Sequence, residues 1–225
     1  MSKVYVPAST PEQWAQFLAE PVKHWRTGYS ARTLAYSWQE AAGFPSEVES
    51  VLKACRAFQA IELLLAIPEH QVPLPGGSRP SQNDIWALAR SGQSLVSIAV
   101  EGKVEEPFGP TLAEWLNDSS PGKSARLAYL QEQLSLSAVA PPEVRYQLLH
   151  RAASAVIEAK RFSASQALML VHSFSPASTW FADYAAFAAL FGVTAKVNCV
   201  HSAGNRGGVE LYLAWVAGNA QYLSR

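Results

Sequence analysis

Apolar residues recur along this chain at two different periods, and each change of period marks an element. Up to Gly43 the pattern is helical in two pieces, around Pro11 to Glu20 and Ser30 to Ala42, with Trp14, Trp25 and Trp38 adding bulk. Gly43-Phe44-Pro45 breaks it. Ser46 and Glu49 then form an S-x-x-E capping box, which predicts a long helix running to about Ile67. Along that helix Val51, Cys55, Phe58 and Leu65 follow a 3.6-residue period, and Glu62 falls into the same apolar stripe.

Pro68 to Ser81 is rich in Pro and Gly and leaves room for a short strand around Gln71 to Leu74. Asp84 to Arg90 and Ser94 to Val104 read as two strands joined at Ser91-Gly92-Gln93, although "DIWALAR" is by propensity equally a short helix. Helices are expected at Leu112 to Leu116, after Ser120-Pro121, and from about Pro142 to Lys160. The nearly continuous apolar run "ALMLVHSF", residues 167–174, has the length of a strand buried on both faces. A helix through Trp180 to Phe191 follows, then strands at Ala195 to His201 and Gly208 to Val216 around the turn "AGNRGG". This order predicts one α/β domain with a mixed central sheet.

Strand parity brings in the chemistry. Val96, Ile98, Val100 and Val104 share one face of their strand, whereas Ser97, Ala99, Glu101, Lys103 and Glu105 share the other. Asp84 opens the preceding strand. If the two strands pair, Asp84 and Glu101 converge, an arrangement that suits a hard divalent cation held by one or two carboxylates and waters. Lys103 would then orient a water or stabilise charge developing on a phosphate. Glu62, a carboxylate on an apolar helix face, needs a partner, and a metal or Lys103 would serve. The alternatives are a strand end fraying into solvent, where such a pair contributes little, and a Glu62 that reaches water at the edge of its stripe.

Asp84, Glu101-Gly102-Lys103 and the upstream Glu62 together resemble the PD-(D/E)XK nuclease superfamily, the restriction-endonuclease-like fold. The resemblance implies an αβββαβ core over residues 46–174, with 1–45 as a helical N-terminal extension and 175–225 as a C-terminal helix and hairpin. It implies Asp84, Glu101 and Lys103 as catalytic residues, Glu62, Asp84 and Glu101 as ligands of Mg²⁺ (or Mn²⁺), and phosphodiester hydrolysis in nucleic acid, DNA in the first place. In "EVRYQLLHR", the helix that often faces the site in that family, Gln147 takes a site role, and Arg145 and Arg151 contact phosphate. A solvated helix face is the other reading of all three. The chain departs from the family pattern with Asn83 in place of Pro before the aspartate, and with an extra helix between Glu101 and Gln147.

Composition bounds these expectations. With 225 residues, 49% of them hydrophobic, the chain can bury a sizeable core. Its net charge of zero excludes a protein that holds nucleic acid by overall positive field. The distribution is uneven: ten acidic against five basic residues from Ser46 to Asp118, then six basic against three acidic from Ser119 to Ser165. Arg79 in "GGSRP" and Arg206 in "GNRGG" are phosphate contacts if both loops border one cleft; neither loop matches a P-loop. The five histidines lack metal-type spacings, no G-x-S-x-G elbow accompanies Ser173 or Ser175, and Cys55 and Cys199 form no framework. No leader and no membrane-spanning run is read, so a cytoplasmic setting is expected, with no membrane partner and with a homodimer as one form in which both strands of a duplex are cut. A nuclease-fold protein that binds or regulates without cleaving is the alternative, and a general α/β domain in which the motif is coincidence is a third.

Overall fold

The alternating runs do form neighbouring strands. In the computed structural model, which describes Val4 and residues 6–225, a 3₁₀ segment (Pro11–Phe17) precedes α1 (Pro21–His24), α2 (Ser30–Glu40) and α3 (Ser46–Ala54). Three strands follow: β1 (Ile61–Val72), β2 (Ser81–Ser91) and β3 (Ser94–Lys103). The chain then crosses through α4 (Leu112–Leu116), α5 (Pro121–Gln133) and α6 (Tyr146–Arg161) to β4 (Gln166–Ser173). It ends with α7 (Phe181–Ala189), β5 (Cys199–Arg206), β6 (Val209–Ala217) and a 3₁₀ turn (Ala220–Ser224). The six strands make one mixed sheet in the order β1-β2-β3-β4-β6-β5. β1, β2 and β3 are antiparallel neighbours, β4 lies parallel to both β3 and β6, and β5 pairs antiparallel with β6.

Both faces of the sheet are covered, which explains the unbroken apolar run of β4. Ala99, Met169, Val171, Leu213 and Trp215 pack with Leu148, Leu149, Ala152 and Val156 of α6. Ile98, Val100, Leu168, Leu170 and Val216 pack on the opposite side with Leu34 and Trp38 of α2 and Val48 and Leu52 of α3. The parity read from β3 therefore holds: its valine face meets α2, and the face of Ala99 and Glu101 meets α6.

The expected helix to Ile67 is corrected. α3 stops at Ala54, where Cys55 turns to an extended backbone, and "IELLLAIPEHQV" becomes β1 because its residues pair along nearly the whole length of β2. A short apolar run of this kind is ambiguous by period alone, and its tertiary partner decides it. The expected capping box is also absent. Ser46 lies inside the first turn and its hydroxyl donates to Glu47, while the N–H of Glu49 donates to the Pro45 carbonyl. A true capping box opens α4, where Thr111 Oγ1 accepts from the N–H of Glu114 and Glu114 accepts from the N–H of Thr111. At the C-terminal hairpin the turn is Gly207-Gly208 alone, both with positive φ, and "AGNR" belongs to β5.

Two contacts fix α2 against β3. A side chain at Gly102 would begin 3.1 Å from Leu34 Cδ2, so the absence of a Cβ lets α2 rest directly on the strand. At the helix start Glu106 accepts from the N–H of Ser30 at 2.8 Å and from the N–H of Val104 at 3.0 Å. One carboxylate thus satisfies an otherwise orphaned helix N–H and pins the exit of β3.

Candidate active site

The site forms where β2 parts from β3. Their ladder ends at Ile85↔Val100, whereas β3 continues beside β4 to Lys103↔Ser173. Asp84, the next residue of β2, takes over the lost pairing with its side chain, accepting from the N–H of Gly102 through Oδ2 at 2.8 Å. On the other side of β2, the pairs Pro68↔Ile85 and His70↔Asn83 set Glu69 opposite Asp84. Glu69, Asp84 and Glu101 therefore form a row of carboxylates across three strands.

Helix α6 answers that row with the amide of Gln147 and the guanidinium of Arg151, and β3 itself adds Lys103. Glu101 Oε1 accepts from Lys103 Nζ at 2.7 Å and from Gln147 Nε2 at 2.8 Å, and its Oε2 accepts from Arg151 Nε at 2.6 Å. All three charged groups are buried, at 2% exposure for Glu101, 4% for Lys103 and 6% for Arg151. Lys103 also lies over the Phe108 ring, 4.8 Å from its centre. Arg151 reaches Asp84 Oδ1 only at 3.9 Å. Gln82 donates to Glu69 at 2.6 Å. These residues border a cavity of about 540 Å³, which Leu18, Ala19, His24, Ser30 and Ala31 of the N-terminal segment also line.

A second small network fixes the state of His150. Arg151 Nη1, which can only donate, lies 3.3 Å from His150 Nδ1, and Ser81 Oγ lies 2.7 Å from the same nitrogen. Nδ1 is therefore the acceptor, and the ring proton sits on Nε2. Burial, with Arg151 and Arg126 nearby, holds the imidazole well below its usual pKa. His150 lines the cavity as a neutral N–H donor.

The carboxylates titrate in opposite directions. Burial, reinforced by Asp84, pushes Glu69 up to about 8, and burial, reinforced by Glu101, pushes Asp84 up to about 7. Burial also opposes ionisation of Glu101, but Lys103 and Arg151 outweigh it and hold that carboxyl below its usual value. In the unfolded chain all three ionise near pH 4. Above about pH 4 the folded protein keeps protons on Asp84 up to about 7 and on Glu69 up to about 8 that the unfolded chain has released, so these two groups make stability fall as pH rises, whereas His150 and His172, held below their usual values by burial, make it rise until the unfolded imidazoles lose their protons near pH 6.5. The melting temperature without added metal is expected to decline from pH 6.5 to pH 8.5, where the carboxyls act alone. Asp84→Asn should flatten that decline and raise the pH 8 melting temperature by roughly 3–6 °C. A flat wild-type profile would contradict the raised values.

Of the residues expected from the sequence, Asp84, Glu101, Lys103 and Gln147 come together. Glu62 does not. It lies seven residues before Glu69 on β1, roughly 23 Å away along an extended strand, exposed and paired with Arg90 at 2.9 Å. Arg151 enters the site as the buried partner of Glu101 in place of a phosphate contact. Arg145 is held at the rim by Asp183 and the Gly109 carbonyl, each at 2.8 Å. Arg79 is exposed beside Pro80, which lines the cavity. Arg206 lies at the other end of the sheet, over the Phe191 ring and bonded to the Ala203 carbonyl, because β6 runs parallel to β4 and its hairpin turn sits near Gln166. The two arginine loops do not border one cleft.

Glu69 was hidden by the proline- and glycine-rich reading of residues 68–81; once β1 is paired with β2, its register places Glu69 against Asp84. Its backbone has φ 52°, uncommon for a non-glycine residue within a strand. Glu106, which the strand parity left without a role, is the clasp between α2 and β3. Glu105 accepts from Ser175 and Thr179 at the rim.

Among the described residues no group of three or more His, Cys, Asp or Glu side chains is arranged to hold a metal ion, and no helix is long and apolar enough to cross a membrane. No curated protein and no solved structure matches the chain. A family described as a domain of unknown function, DUF6946, matches residues 7–220, nearly the whole length, and the chain belongs to that family.

Proposed function

We propose that this protein is a metal-dependent, nuclease-like hydrolase of phosphodiester bonds in nucleic acid, built on a restriction-endonuclease-like core. The observation that carries the reading is the meeting of Asp84, Glu101, Lys103 and Gln147 at one cavity where β2 leaves β3. The carboxylates fit a Mg²⁺ or Mn²⁺ held through one or two side chains and waters. Glu101 has about four acceptor positions and three are taken, and Asp84 Oδ1 has Arg151 only at 3.9 Å. Repulsion within the row of Glu69, Asp84 and Glu101 is of the kind a divalent cation relieves. Bound to Asp84 and Glu101, the ion would supply Lewis-acid stabilisation of phosphoryl charge and a nucleophilic water at neutral pH.

The chain's own groups do the positioning. Lys103, fixed by Glu101 and seated on Phe108, holds a positive charge where negative charge builds up on a phosphoryl oxygen. Gln147 orients Glu101 through its Nε2, and its Oε1 faces Lys103 at 3.4 Å. Arg151 keeps Glu101 ionised and pointed into the row. His150 offers Nε2–H as a neutral donor to a phosphate oxygen.

A catalytically idle binding protein on the same scaffold is the second reading, favoured by the pairing of Glu101 with two cations and an amide. Incubation of the protein with DNA and RNA panels in Mg²⁺ or Mn²⁺ separates the two. Cleavage abolished by EDTA and reduced at least about 100-fold in Asp84→Asn is the expected result. Binding without cleavage supports the second reading, and neither binding nor cleavage overturns both.

A further inference from the structure

The N-terminal segment forms a wall of the cavity, and that wall is fastened down. Leu34 rests on Gly102 and Glu106 clasps Ser30, so both ends of the contact lie on β3 or its exit, the strand that carries Glu101 and Lys103. The opposite rim is equally fixed. Arg126 donates to the Pro75 and Gly77 carbonyls at 2.8 and 3.2 Å, holding the loop between β1 and β2. Between these rims the cavity of about 540 Å³ lies in the range of sites that enclose one small ligand or one extruded nucleotide.

The charges bordering this space are unsuited to a duplex. A protein gripping double-stranded DNA typically neutralises six to ten phosphates with Lys and Arg. Here the two cations that line the cavity, Lys103 and Arg151, are both already held by Glu101, and the remaining acidic side chains on its lining, Glu69, Asp84 and Glu106, offer a phosphate no positive charge. At the entrance His24 lies 3.8 Å from Glu20, and Arg145 is bound to Asp183. Among the lining residues His150 Nε2–H is a neutral donor, and Arg79, exposed beside Pro80, is the single cation the described contacts leave at the rim.

Resting on the nuclease-like reading, we propose that the substrate is a single strand of nucleic acid, entering between the N-terminal wall and the rim at Pro107 to Pro110, and that duplex is excluded. Recognition relies on a few donors at one phosphate in place of a basic track.

Binding tests this independently of cleavage. Fluorescence anisotropy with a labelled 12-nucleotide single strand and the matching duplex, in Ca²⁺ at constant ionic strength, is expected to show at least tenfold tighter binding of the single strand. Equal or tighter duplex binding, or no binding of either, overturns the proposal. Absence of cleavage in Mg²⁺ with single-strand preference intact sinks only the hydrolytic reading. Ala19→Trp, at an exposed position of the wall, should weaken single-strand binding at least fivefold with the melting temperature unchanged. Undiminished affinity in that variant, folded by the same melting criterion, would overturn the path of entry.

Discussion

Glu101→Ala is expected to lower the unfolding free energy by about 3–5 kcal/mol, the range found when one partner of a buried charge network is removed. The cause lies in what remains. Lys103 and Arg151 would stay buried side by side, with the carboxylate that compensated both of them gone. Gln147 would lose the acceptor for its Nε2. Urea denaturation, read as a change in midpoint at constant slope, measures the loss. Adding Lys103→Met to Glu101→Ala should return part of the stability, since one stranded cation is removed, and the two changes will then not be additive. A loss below about 1 kcal/mol in the single variant would mean that water enters the site freely and that the network is not the buried one described.

Lys103→Met should act the other way, leaving the fold and removing the chemistry. Arg151 remains at 2.6 Å on Glu101, so no charge is stranded, and the methionine stem can occupy the place of the lysine stem beside Phe108. Stability within roughly 1–2 kcal/mol of wild type is therefore expected. Hydrolysis is expected to fall by about 10²–10³-fold, as when one preorganised stabilising donor is lost. The loss should appear in kcat, with KM little changed, because the ammonium acts on charge that develops only during reaction. Activity retained in a folded Lys103→Met protein would remove the lysine from the mechanism.

The strands carrying this pair were readable from the sequence for a physical reason. β3 has one apolar face and one that passes from small to charged, and β2 begins at a run whose alternation continues into it. The parity of Glu101 and Lys103 followed directly. β1 was not readable, because "IELLLAI" is apolar almost without interruption and its identity is decided by pairing with β2. The misassigned element carried the wrong carboxylate with it: Glu62 has the apolar neighbours expected of a helix stripe, whereas Glu69, next to Pro68 in a stretch read as loop, occupies the row beside Asp84. The role of Arg151 was hidden too. Nothing in "EVRYQLLHR" distinguishes an arginine that turns inward to a carboxylate from one that reaches out to phosphate. The mixed sheet and the order of later elements were legible because turns and helix starts punctuate them, Ser120-Pro121 and Gly207-Gly208 among them.

The contact of Leu34 with Gly102 also bears on where this protein can be divided. A boundary at residue 45 looks natural in the sequence, since Gly43-Phe44-Pro45 interrupts the pattern. In space it cuts a single apolar cluster, in which Leu34, Ala35 and Trp38 meet Val100, Leu170 and Val216. Trp38 further donates to His172 of β4, whose other ring nitrogen meets Glu47 of α3. A fragment starting at Ser46 would bare the back of the strand that carries Glu101 and Lys103. The first fifth of the chain is thus a structural half of the strand that carries Glu101 and Lys103, and Gly102 between them is the seam that joins the two.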